Sequence, residues 1–357
     1  MSELRKDPLS GSWVIVAEDR ARPLEAMVPL VIAPEASLSA QRALDGARGS
    51  LGLTDDARPN APCPLCPGHE GMTPPEVLAY RPPGGHPNDP RWSVRVFPSP
   101  VPALRVETAA QQEGVGPYDR RAGLGAHELI VESPAHVTAL DEIGEAPMAL
   151  AVQAWQERIV DLARDMRLQH AVLFKQVGRA AGATLTHAHS QLLVLPVVPA
   201  TLRAKLGAFD TYARAHDRCV LCDVVRHEAA AYERLVHDNA AFVVFTPFAS
   251  PTPFALCIAP KAHAPRFERE HAQTRAHFAN ALFVATRRLR AALGPVPYRW
   301  SLCTAPLQSP EGTLFHWHLE LQPVVAHVGA AGMLGGVHVN PTSPETAAQI
   351  LREAAAP

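Results

Sequence analysis

The sequence predicts an α+β fold made of two similar halves, and three recurring features point to it. A C-x-x-C pair occurs once in each half, and each pair is followed by an apolar strand that ends in proline and then histidine. An amphipathic helix, a further strand and a His-x-His motif come next, in the same order in both halves. This recurrence predicts an internal duplication with antiparallel sheets and one major helix per half. We expect one unit over residues 1–200 and a second over residues 201–357.

In the first half, the elements of the series are readable from residue patterns. A strand is expected at 127–131. The helix after it places apolar residues at steps of three and four, which is the spacing of one buried face. A strand at 170–175 then leads through a glycine-containing loop to the His-x-His motif. The buried helical face is predicted to consist of Val152, Trp155, Ile159, Leu162 and Met166.

The second half repeats the strands at 253–258 and 298–303, and its helix is predicted to bury Phe278, Leu282, Ala285 and Leu289. A C-terminal helix is expected to start at Ser343-Pro344-Glu345. Serine caps helices, proline suits the first turn, and an acidic residue there faces the positive end of the helix dipole. Residues 30–60 are rich in small and polar residues and are expected to form a surface loop.

Composition and charge exclude several classes of protein. The 357 residues are 47% apolar and 19% charged, which suffices for a sizeable core. The formal net charge of −2 lacks the cationic excess that binding to nucleic acid or to a membrane surface requires. No apolar run reaches the roughly 18 residues of a membrane helix, and the polar start has no signal-peptide core. The sequence therefore predicts a cytoplasmic protein that binds neither nucleic acid nor membrane.

The cysteine pairs indicate metal rather than disulfides or redox chemistry. A reducing compartment argues against a disulfide framework, and a proline-rich C-x-x-C segment at 62–68 does not suit the start of a thioredoxin-type helix. In each half, the cysteine pair, the strand-end histidine and the first histidine of His-x-His make a Cys₂His₂ set, which leaves tetrahedral zinc no open position. An isolated histidine is more often simply buried, so the recurrence carries this prediction. The sets are Cys63, Cys66, His136 and His187, and Cys219, Cys222, His263 and His316.

About two structural zinc ions per chain are therefore expected. The second set is less sharply defined, because His318 and Glu320 are near in sequence and are alternative ligands.

His189 is the candidate nucleophile. On a strand, His187, His189 and Gln191 point to the same face, so zinc bound to His187 would place His189 rigidly beside it. Neutral imidazole is a competent nucleophile toward phosphorus, and an amide such as Gln191 donates hydrogen bonds to a phosphate oxygen. The glycine-bearing loop at Gly178 and Gly182 suits an approaching phosphate. The alternative is that these polar residues face solvent on an edge strand.

The chain also resembles a known family. The resemblance is carried by Phe174-Lys175-Gln176, Gly178, Ala181-Gly182-Ala183 and His187-Ala188-His189-Ser190-Gln191. This signature is similar to that of the galactose-1-phosphate uridylyltransferases of the histidine-triad (HIT) superfamily, and further matches extend over most of the chain. The further matches include Arg5-Lys6-Asp7-Pro8, Cys63-Pro64-Leu65-Cys66, Arg95-Val96-Phe97-Pro98, His127-Glu128-Leu129-Ile130-Val131 and Asn340-Pro341.

This resemblance implies two fused HIT-like domains, a homodimer and a ping-pong reaction through a covalent nucleotidyl-histidine. His189 would be the nucleophile and Gln191 its phosphate-binding partner. The implied reaction converts UDP-glucose and galactose 1-phosphate to glucose 1-phosphate and UDP-galactose, so the expected partners are a nucleotide sugar and a sugar phosphate. The first zinc set matches the family's metal ligands, and the second half resembles its more variable second metal site.

Some positions depart from the family pattern. The family usually has asparagine where this chain has Gln176 and Ser99, and both positions resemble ones that line the nucleotide and phosphate pocket together with Gly178 and Gly182. Segment 330–335 lacks a Phe-Glu pair often seen in the family. These departures put the base and the sugar in doubt. The two C-x-x-C pairs and the Ser-Gln after the nucleophile also resemble ADP-glucose phosphorylases, which transfer an adenylyl group to phosphate.

Two other classes remain as alternatives. HIT-type nucleotide hydrolases typically carry a third histidine at the position of Gln191, so the amide here favours transfer to a phosphate acceptor over transfer to water. A zinc-stabilised nucleic-acid-binding module is disfavoured by the net charge and by the absence of a Lys/Arg run.

Overall fold

The computed structural model describes residues 2–17, 62–310, 312–325 and 337–354. The predicted surface loop at 30–60 and the family departure at 330–335 lie outside the described residues. Within the described residues, no helix is long and apolar enough to cross a membrane.

Fifteen strands are present in the described part of the chain. They are β1 (Glu3–Lys6), β2 (Trp13–Val16), β3 (Leu78–Tyr80), β4 (Val94–Pro98), β5 (Gln112–Val115), β6 (Tyr118–Arg121), β7 (Ala126–Val131), β8 (His170–Val177), β9 (His189–Leu195), β10 (Leu235–Asp238), β11 (Phe242–Phe245), β12 (Leu256–Pro260), β13 (Tyr298–Cys303), β14 (His318–Pro323) and β15 (His338–Asn340).

Ten of the described strands form one antiparallel sheet that runs through both halves, in the order β10-β11-β12-β14-β13-β8-β9-β7-β4-β3. The halves join where β8 pairs with β13, with Val177 opposite Tyr298. Strand β9, which begins at the candidate nucleophile His189, lies between β8 and β7. It is an interior strand, which rules out the edge-strand alternative. Strands β1, β2 and β15 form a small separate sheet, and β5 and β6 pair with each other.

The described helices are α1 (Leu140–Ile143), α2 (Glu145–Leu162), α3 (Ala200–His216), α4 (Val220–Ala231), α5 (Ala272–Leu293) and α6 (Pro344–Glu353), with short 3₁₀ turns at Glu70–Met72, Arg179–Ala181 and Phe267–Arg269. Helices α2 and α5 are the major helices predicted for the two halves, and they pack beside each other on one face of the large sheet. Trp155 of α2 meets Trp300 of β13 with ring centroids 5.1 Å apart. The residues predicted for the α5 face are all buried.

The opposite face of the sheet differs between the halves. In β12, Leu256 and Ile258 belong to the core under α5, whereas the alternate residues Cys257 and Ala259 pack with α3 and α4. The second half is therefore covered on both faces. In the first half, the same face carries the partly exposed side chain of Gln191. His189, on the same face, is buried, with 6% of its surface exposed.

Several boundaries differ from the sequence-based prediction. Helix α2 ends at Leu162, so Met166 is 67% exposed; the chain turns there, and Leu168 is buried instead. Strand β9 begins at His189, so His187 lies in the bend before it. Strand β8 extends two residues further than predicted, to Val177. Strand β12 begins at Leu256 rather than at 253, because Phe254 has a φ of 59°, which a strand does not accommodate.

The C-terminal helix α6 begins as predicted. The Ser343 hydroxyl accepts a hydrogen bond from the backbone N–H of Thr346 at 3.2 Å, which caps the helix. Glu345 in its first turn binds both Arg5 and Arg234 at 2.9 Å, so this acidic residue also ties the N-terminal sheet to the second half.

Candidate active site and metal clusters

The four residues of the first predicted zinc set come together. Their ligand atoms all lie within 4.8 Å of one another. The Cys66 Sγ is 3.3 Å from His136 Nδ1 and 3.6 Å from His187 Nδ1. Zinc bonds of about 2.3 Å to sulfur and about 2.0 Å to nitrogen at a tetrahedral angle give an S–N separation of about 3.6 Å. The spacing therefore fits a tetrahedral metal site.

The ring of His187 is oriented for such a site. Its Nε2 lies 2.7 Å from the backbone oxygen of Ser133, so Nε2–H donates to that carbonyl and Nδ1 faces the cysteines. A hydrogen bond from the far ring nitrogen is the usual device that orients a metal-binding histidine. His187 is also almost fully buried. It lies two residues before the first residue of β9, so the cluster is next to the start of that strand.

The second predicted set comes together in the same way. The Cys222 Sγ lies 3.5 Å from His263 Nδ1 and 3.4 Å from His316 Nδ1. The two histidine rings have centroids 5.2 Å apart, and the corresponding rings of the first cluster have the same separation. Cys219 stands at the N-cap position of helix α4, without a capping hydrogen bond from its side chain, so here the C-x-x-C pair does open a helix. Burial raises the pKa of the Cys222 thiol to about 12, so binding a metal here would release a proton.

His318 and Glu320, the alternative ligands, form a separate cluster with Cys303. The Lys205 ammonium lies among them, 2.6 Å from Glu320 Oε1 and 3.2 Å from Cys303 Sγ. Burial opposes a charge on His318, but Cys303 and Glu320 outweigh it and raise the pKa of His318 to about 9. The lysine already supplies a positive charge at this position, so the cluster is an ion-paired group and not part of the second Cys/His set.

The backbone carbonyl of His187 sets the tautomer of His189. Its Nδ1 lies 2.7 Å from the carbonyl oxygen of His187, to which it donates, and this leaves the ring lone pair on Nε2. The carbonyl of His189 in turn accepts a hydrogen bond from Lys175 Nζ at 3.0 Å. Lys175 and Glu132 form a buried ion pair at 2.5 Å behind the strand. Burial lowers the pKa of Lys175, and Glu132 opposes that shift.

Gln191 lies on the face of the sheet predicted from the i, i+2 spacing. Its Oε1 is 3.0 Å from His127 Nε2, and the His127 Nδ1 is 3.2 Å from the backbone nitrogen of Ala103. The sequence singled out 127–131 as a strand but gave His127 no role. That contact depends on the pairing of β7 with β9, in which Leu129 lies opposite Gln191, and no local pattern reveals this register.

The predicted phosphate loop has the backbone geometry of a tight turn. Gly178 and Gly182 have φ values of 80° and 98°, which disfavour other residues. A Cβ at Gly182 would lie 2.4 Å from Gln176 Nε2. Gln176 donates to the backbone oxygen of Ala181 at 2.8 Å, so its side chain braces this loop. Ser99 is buried just after β4, and its N–H donates to the carbonyl of His127.

Comparison with known proteins agrees with this arrangement. Residues 1–199 match the family described as galactose-1-phosphate uridyl transferase, N-terminal domain. An ADP-glucose phosphorylase of Arabidopsis thaliana is 31% identical over 356 residues, covering 98% of this chain and 92% of the relative. The chain belongs to the galactose-1-phosphate uridylyltransferase family. A galactose-1-phosphate uridylyltransferase of Thermotoga maritima is 24% identical, and the alignment covers 99% of this chain and 98% of that protein.

Solved structures of this family share the fold. The crystal structure of the Arabidopsis thaliana ADP-glucose phosphorylase with bound ADP-glucose is similar with a TM-score of 0.78 and 28% identity, and covers 99% of both chains. A structure described as uridylyltransferase has a TM-score of 0.72 and 25% identity, with 99% of this chain and 98% of that chain covered. The predicted α+β HIT-like fold, the family and the nucleotidyltransferase class are confirmed.

Proposed function

We propose that this chain is a galactose-1-phosphate uridylyltransferase, which moves a uridylyl group from UDP-glucose to galactose 1-phosphate through a covalent adduct on His189. One observation carries the proposal. The hydrogen bond from His189 Nδ1 to the His187 carbonyl leaves the lone pair on Nε2, in a strand whose next residue on the same face, Gln191, carries a hydrogen-bonding amide. A nucleophile with an adjacent phosphate-binding donor is what phosphoryl-group transfer needs.

The geometry supports a two-step reaction. The Nε2 lone pair of His189 attacks the phosphorus bonded to the nucleoside, an N–P bond forms, and the bond from that phosphorus to the sugar phosphate breaks. The imidazole ring then carries positive charge, which the His187 carbonyl stabilises through Nδ1–H. The Gln191 amide stabilises negative charge on the phosphoryl oxygens. In the second step, the acceptor's phosphate oxygen attacks the same phosphorus and His189 leaves as neutral imidazole.

Gln191 supports transfer rather than hydrolysis. A carboxamide donates hydrogen bonds but does not exchange protons near neutral pH, so it cannot act as a general base for water. A phosphate acceptor arrives already ionised and needs no such base. The adduct is therefore expected to persist until a phosphate acceptor binds.

The two Cys/His clusters are proposed to hold one zinc ion each, with structural roles. Each set uses four protein ligands and leaves no open position for a substrate. The metal bound through His187 would fix the bend that presents His189. We also propose that the two halves divide near residue 200, which the repeated motifs support, and that the enzyme is cytoplasmic and a homodimer; the family resemblance supports the homodimer.

Adenylyl transfer from ADP-glucose to inorganic phosphate is a second candidate. The observation in its favour is the 31% identity to the Arabidopsis thaliana ADP-glucose phosphorylase, against 24% to the Thermotoga maritima uridylyltransferase, at nearly complete coverage of this chain. The same His189 and Gln191 would serve either donor. Which of the two donors the enzyme uses depends on the pocket that binds the base of the nucleotide.

Labelling with each donor separates the two functions. The enzyme is incubated with UDP-glucose or ADP-glucose that is labelled on the phosphate bonded to the nucleoside, and the protein-bound label is measured. Label from UDP-glucose, released by galactose 1-phosphate, supports the uridylyltransferase. Label from ADP-glucose alone, released by inorganic phosphate, supports the second candidate, and no label from either donor refutes the adduct.

A further inference from the structure

The two atoms of the Gln191 carboxamide are not equivalent toward a phosphate. The NH₂ group donates and stabilises a phosphoryl oxygen, whereas the carbonyl oxygen repels it. The last torsion of a glutamine is broad and roughly two-fold, so the side chain alone does not select between these orientations. A neighbour has to select the orientation in which the amide nitrogen faces the substrate.

His127 lies where such a neighbour is needed. It sits on β7 diagonally across from Gln191 on β9, because Leu129 is opposite Gln191 and His127 is opposite Leu193. Side chains at diagonal positions on the same face of an antiparallel pair come within reach of each other. The Nε2 of His127 is 3.0 Å from Gln191 Oε1.

The direction of this hydrogen bond follows from an atom whose role is unambiguous. The backbone N–H of Ala103 can only donate, and it lies 3.2 Å from His127 Nδ1, so Nδ1 must be the accepting nitrogen. A neutral imidazole that accepts at Nδ1 carries its proton on Nε2. That proton is donated to Gln191, so the atom of Gln191 facing His127 has to be the oxygen.

Burial favours the neutral form of the His127 ring, because partial removal from solvent lowers its pKa. The hydrogen bond with Gln191 raises the pKa, but the effect of burial is larger. The neutral form is the one that the Ala103 contact requires, since a doubly protonated ring would present a donor to a donor. Both hydrogens of the Gln191 nitrogen then remain for a phosphoryl oxygen.

We propose that His127 is a positioning residue, which turns the Gln191 carboxamide so that its NH₂ group faces the phosphoryl group on His189. This inference rests on the proposed nucleotidyl transfer for its catalytic consequence, but the hydrogen-bond relay from Ala103 through His127 to Gln191 exists in the resting protein. The relay and the transfer can therefore be tested separately.

The relay is tested without turnover by NMR. Enzyme labelled with ¹⁵N-histidine is examined by long-range ¹H–¹⁵N correlation near pH 7.5, and the His127 signals are assigned by their loss in His127→Gln. We expect the neutral tautomer with the proton on Nε2. A proton on Nδ1, or a doubly protonated ring, overturns the relay whether or not the enzyme transfers nucleotides.

The catalytic consequence is tested by a double-mutant cycle on the rate of adduct formation in a single turnover. Gln191→Ala should slow the step roughly 10²–10³-fold because it removes one donor. His127→Ala should slow it roughly 10–10²-fold because the donor is misoriented. The double variant should be no slower than Gln191→Ala alone, since His127 acts only through Gln191. Losses that multiply would overturn the proposal.

Two conservative variants separate positioning from a structural role. His127→Gln extends an amide nitrogen to about the place of Nε2 and should recover most of the lost rate. His127→Asn is the matched control, because its shorter side chain keeps an acceptor for Ala103 but does not reach Gln191. Equal rates for the two variants would overturn the proposal. If the wild-type enzyme takes no label from either donor, the proposed function fails while the NMR result still decides the relay.

Discussion

His189 and its surroundings show how a few contacts fix the tautomer of a histidine ring. Its Nδ1 is tied to the carbonyl of His187, and its own carbonyl is tied to Lys175. His318 has the same Nδ1 contact, to His316 at 3.0 Å, but it is fully buried beside Glu320. The two halves thus hold a histidine in the same way, and both residues are buried, with 6% of His189 and none of His318 exposed.

Replacing His189 should remove the adduct without unfolding the protein. His189→Ala is expected to take no label from the donor while it keeps the metal content and thermal stability of the wild type, because His189 is not in either Cys/His cluster. His189→Gly should regain turnover with added imidazole, which can enter the cavity and accept the nucleotidyl group. Mass spectrometry of the trapped adduct is the measurement. His318→Ala is the matched control and should still be labelled; a nucleotidyl group on another residue would refute the assignment.

The buried pair of Lys175 and Glu132 makes a stability prediction. Lys175→Met leaves the Glu132 carboxylate buried without its partner, which typically costs about 3–5 kcal/mol. The double variant Lys175→Met/Glu132→Gln removes both charges and should recover most of that loss. Urea denaturation followed by circular dichroism measures both. If the double variant is no more stable than Lys175→Met alone, the loss of stability does not come from the unpaired charge of Glu132.

At the scale of elements, the bend before β9 connects a Cys/His cluster to the predicted phosphate loop and to the strand that carries the proposed nucleophile. The turn at Arg179–Ala181 lies between two glycines with positive φ, and Gln176 at the end of β8 braces it. After the loop, the side chain of His187 contacts the cysteines, and β9 begins two residues later. Geometry at His189 therefore depends on both the cluster and the loop.

Loss of one cluster should be measurable as loss of metal. Cys63→Ser is expected to remove about one of two zinc ions per chain and to lower thermal stability, because metal binding contributes folding free energy. Cys257→Ser is the matched control, since Cys257 is also buried (1% exposed, against 9% for Cys63) but belongs to neither cluster. Elemental analysis by mass spectrometry gives the count. An active, folded preparation with almost no metal would contradict the duplicated sites.

Two glycines should respond in opposite directions to alanine. Gly182→Ala should lower the melting temperature and slow adduct formation, because φ is 98° and the new Cβ would lie 2.4 Å from Gln176 Nε2. Gly207→Ala, within α3 and with nothing within 4 Å of a Cβ, should stabilise by up to about 1 kcal/mol through helix propensity. Thermal unfolding of both variants is the check. A neutral Gly182→Ala would mean that the loop adapts freely.

At the scale of the whole molecule, the pairing of β8 with β13 makes one sheet from two repeats. Helices α3 and α4 pack on the second half of this sheet, on the same face that carries Gln191 in the first half. Lys205 of α3 reaches Glu320, which occupies the place in the second His-x-His motif that Gln191 occupies in the first. The second half therefore carries an ion pair at the position that the proposed phosphate-binding amide has in the first half.

Acceptor dependence tests this whole-molecule picture of a transferase. With nucleotide sugar alone, release of free nucleoside monophosphate should be slow, because Gln191 offers no general base for water. Adding the phosphate acceptor should raise donor turnover by orders of magnitude. Chromatographic quantification of the products with and without acceptor gives the result, and rapid turnover without acceptor would favour a hydrolase.

The sequence by itself determined the features that depend on local pattern and on recurrence. The apolar spacing predicted the buried faces of α2 and α5, apart from Met166, and the repeated cysteine and histidine motifs identified two groups of four side chains that do meet in space. The His-x-His-x-Gln spacing placed His189 and Gln191 on one face. Motif and resemblance also indicated the family, which the comparisons confirmed.

Only the tertiary structure decided which distant segments meet. The joining of the halves at β8 and β13 depends on strand pairing, and so does the contact of His127 with Gln191, because both are set by register across the sheet. Whether Glu320 joins a metal set depended on where α3 places Lys205. Periodicity reports which side of an element is buried, but the partner on that side is chosen by packing between segments far apart in the chain, and no local pattern contains that information.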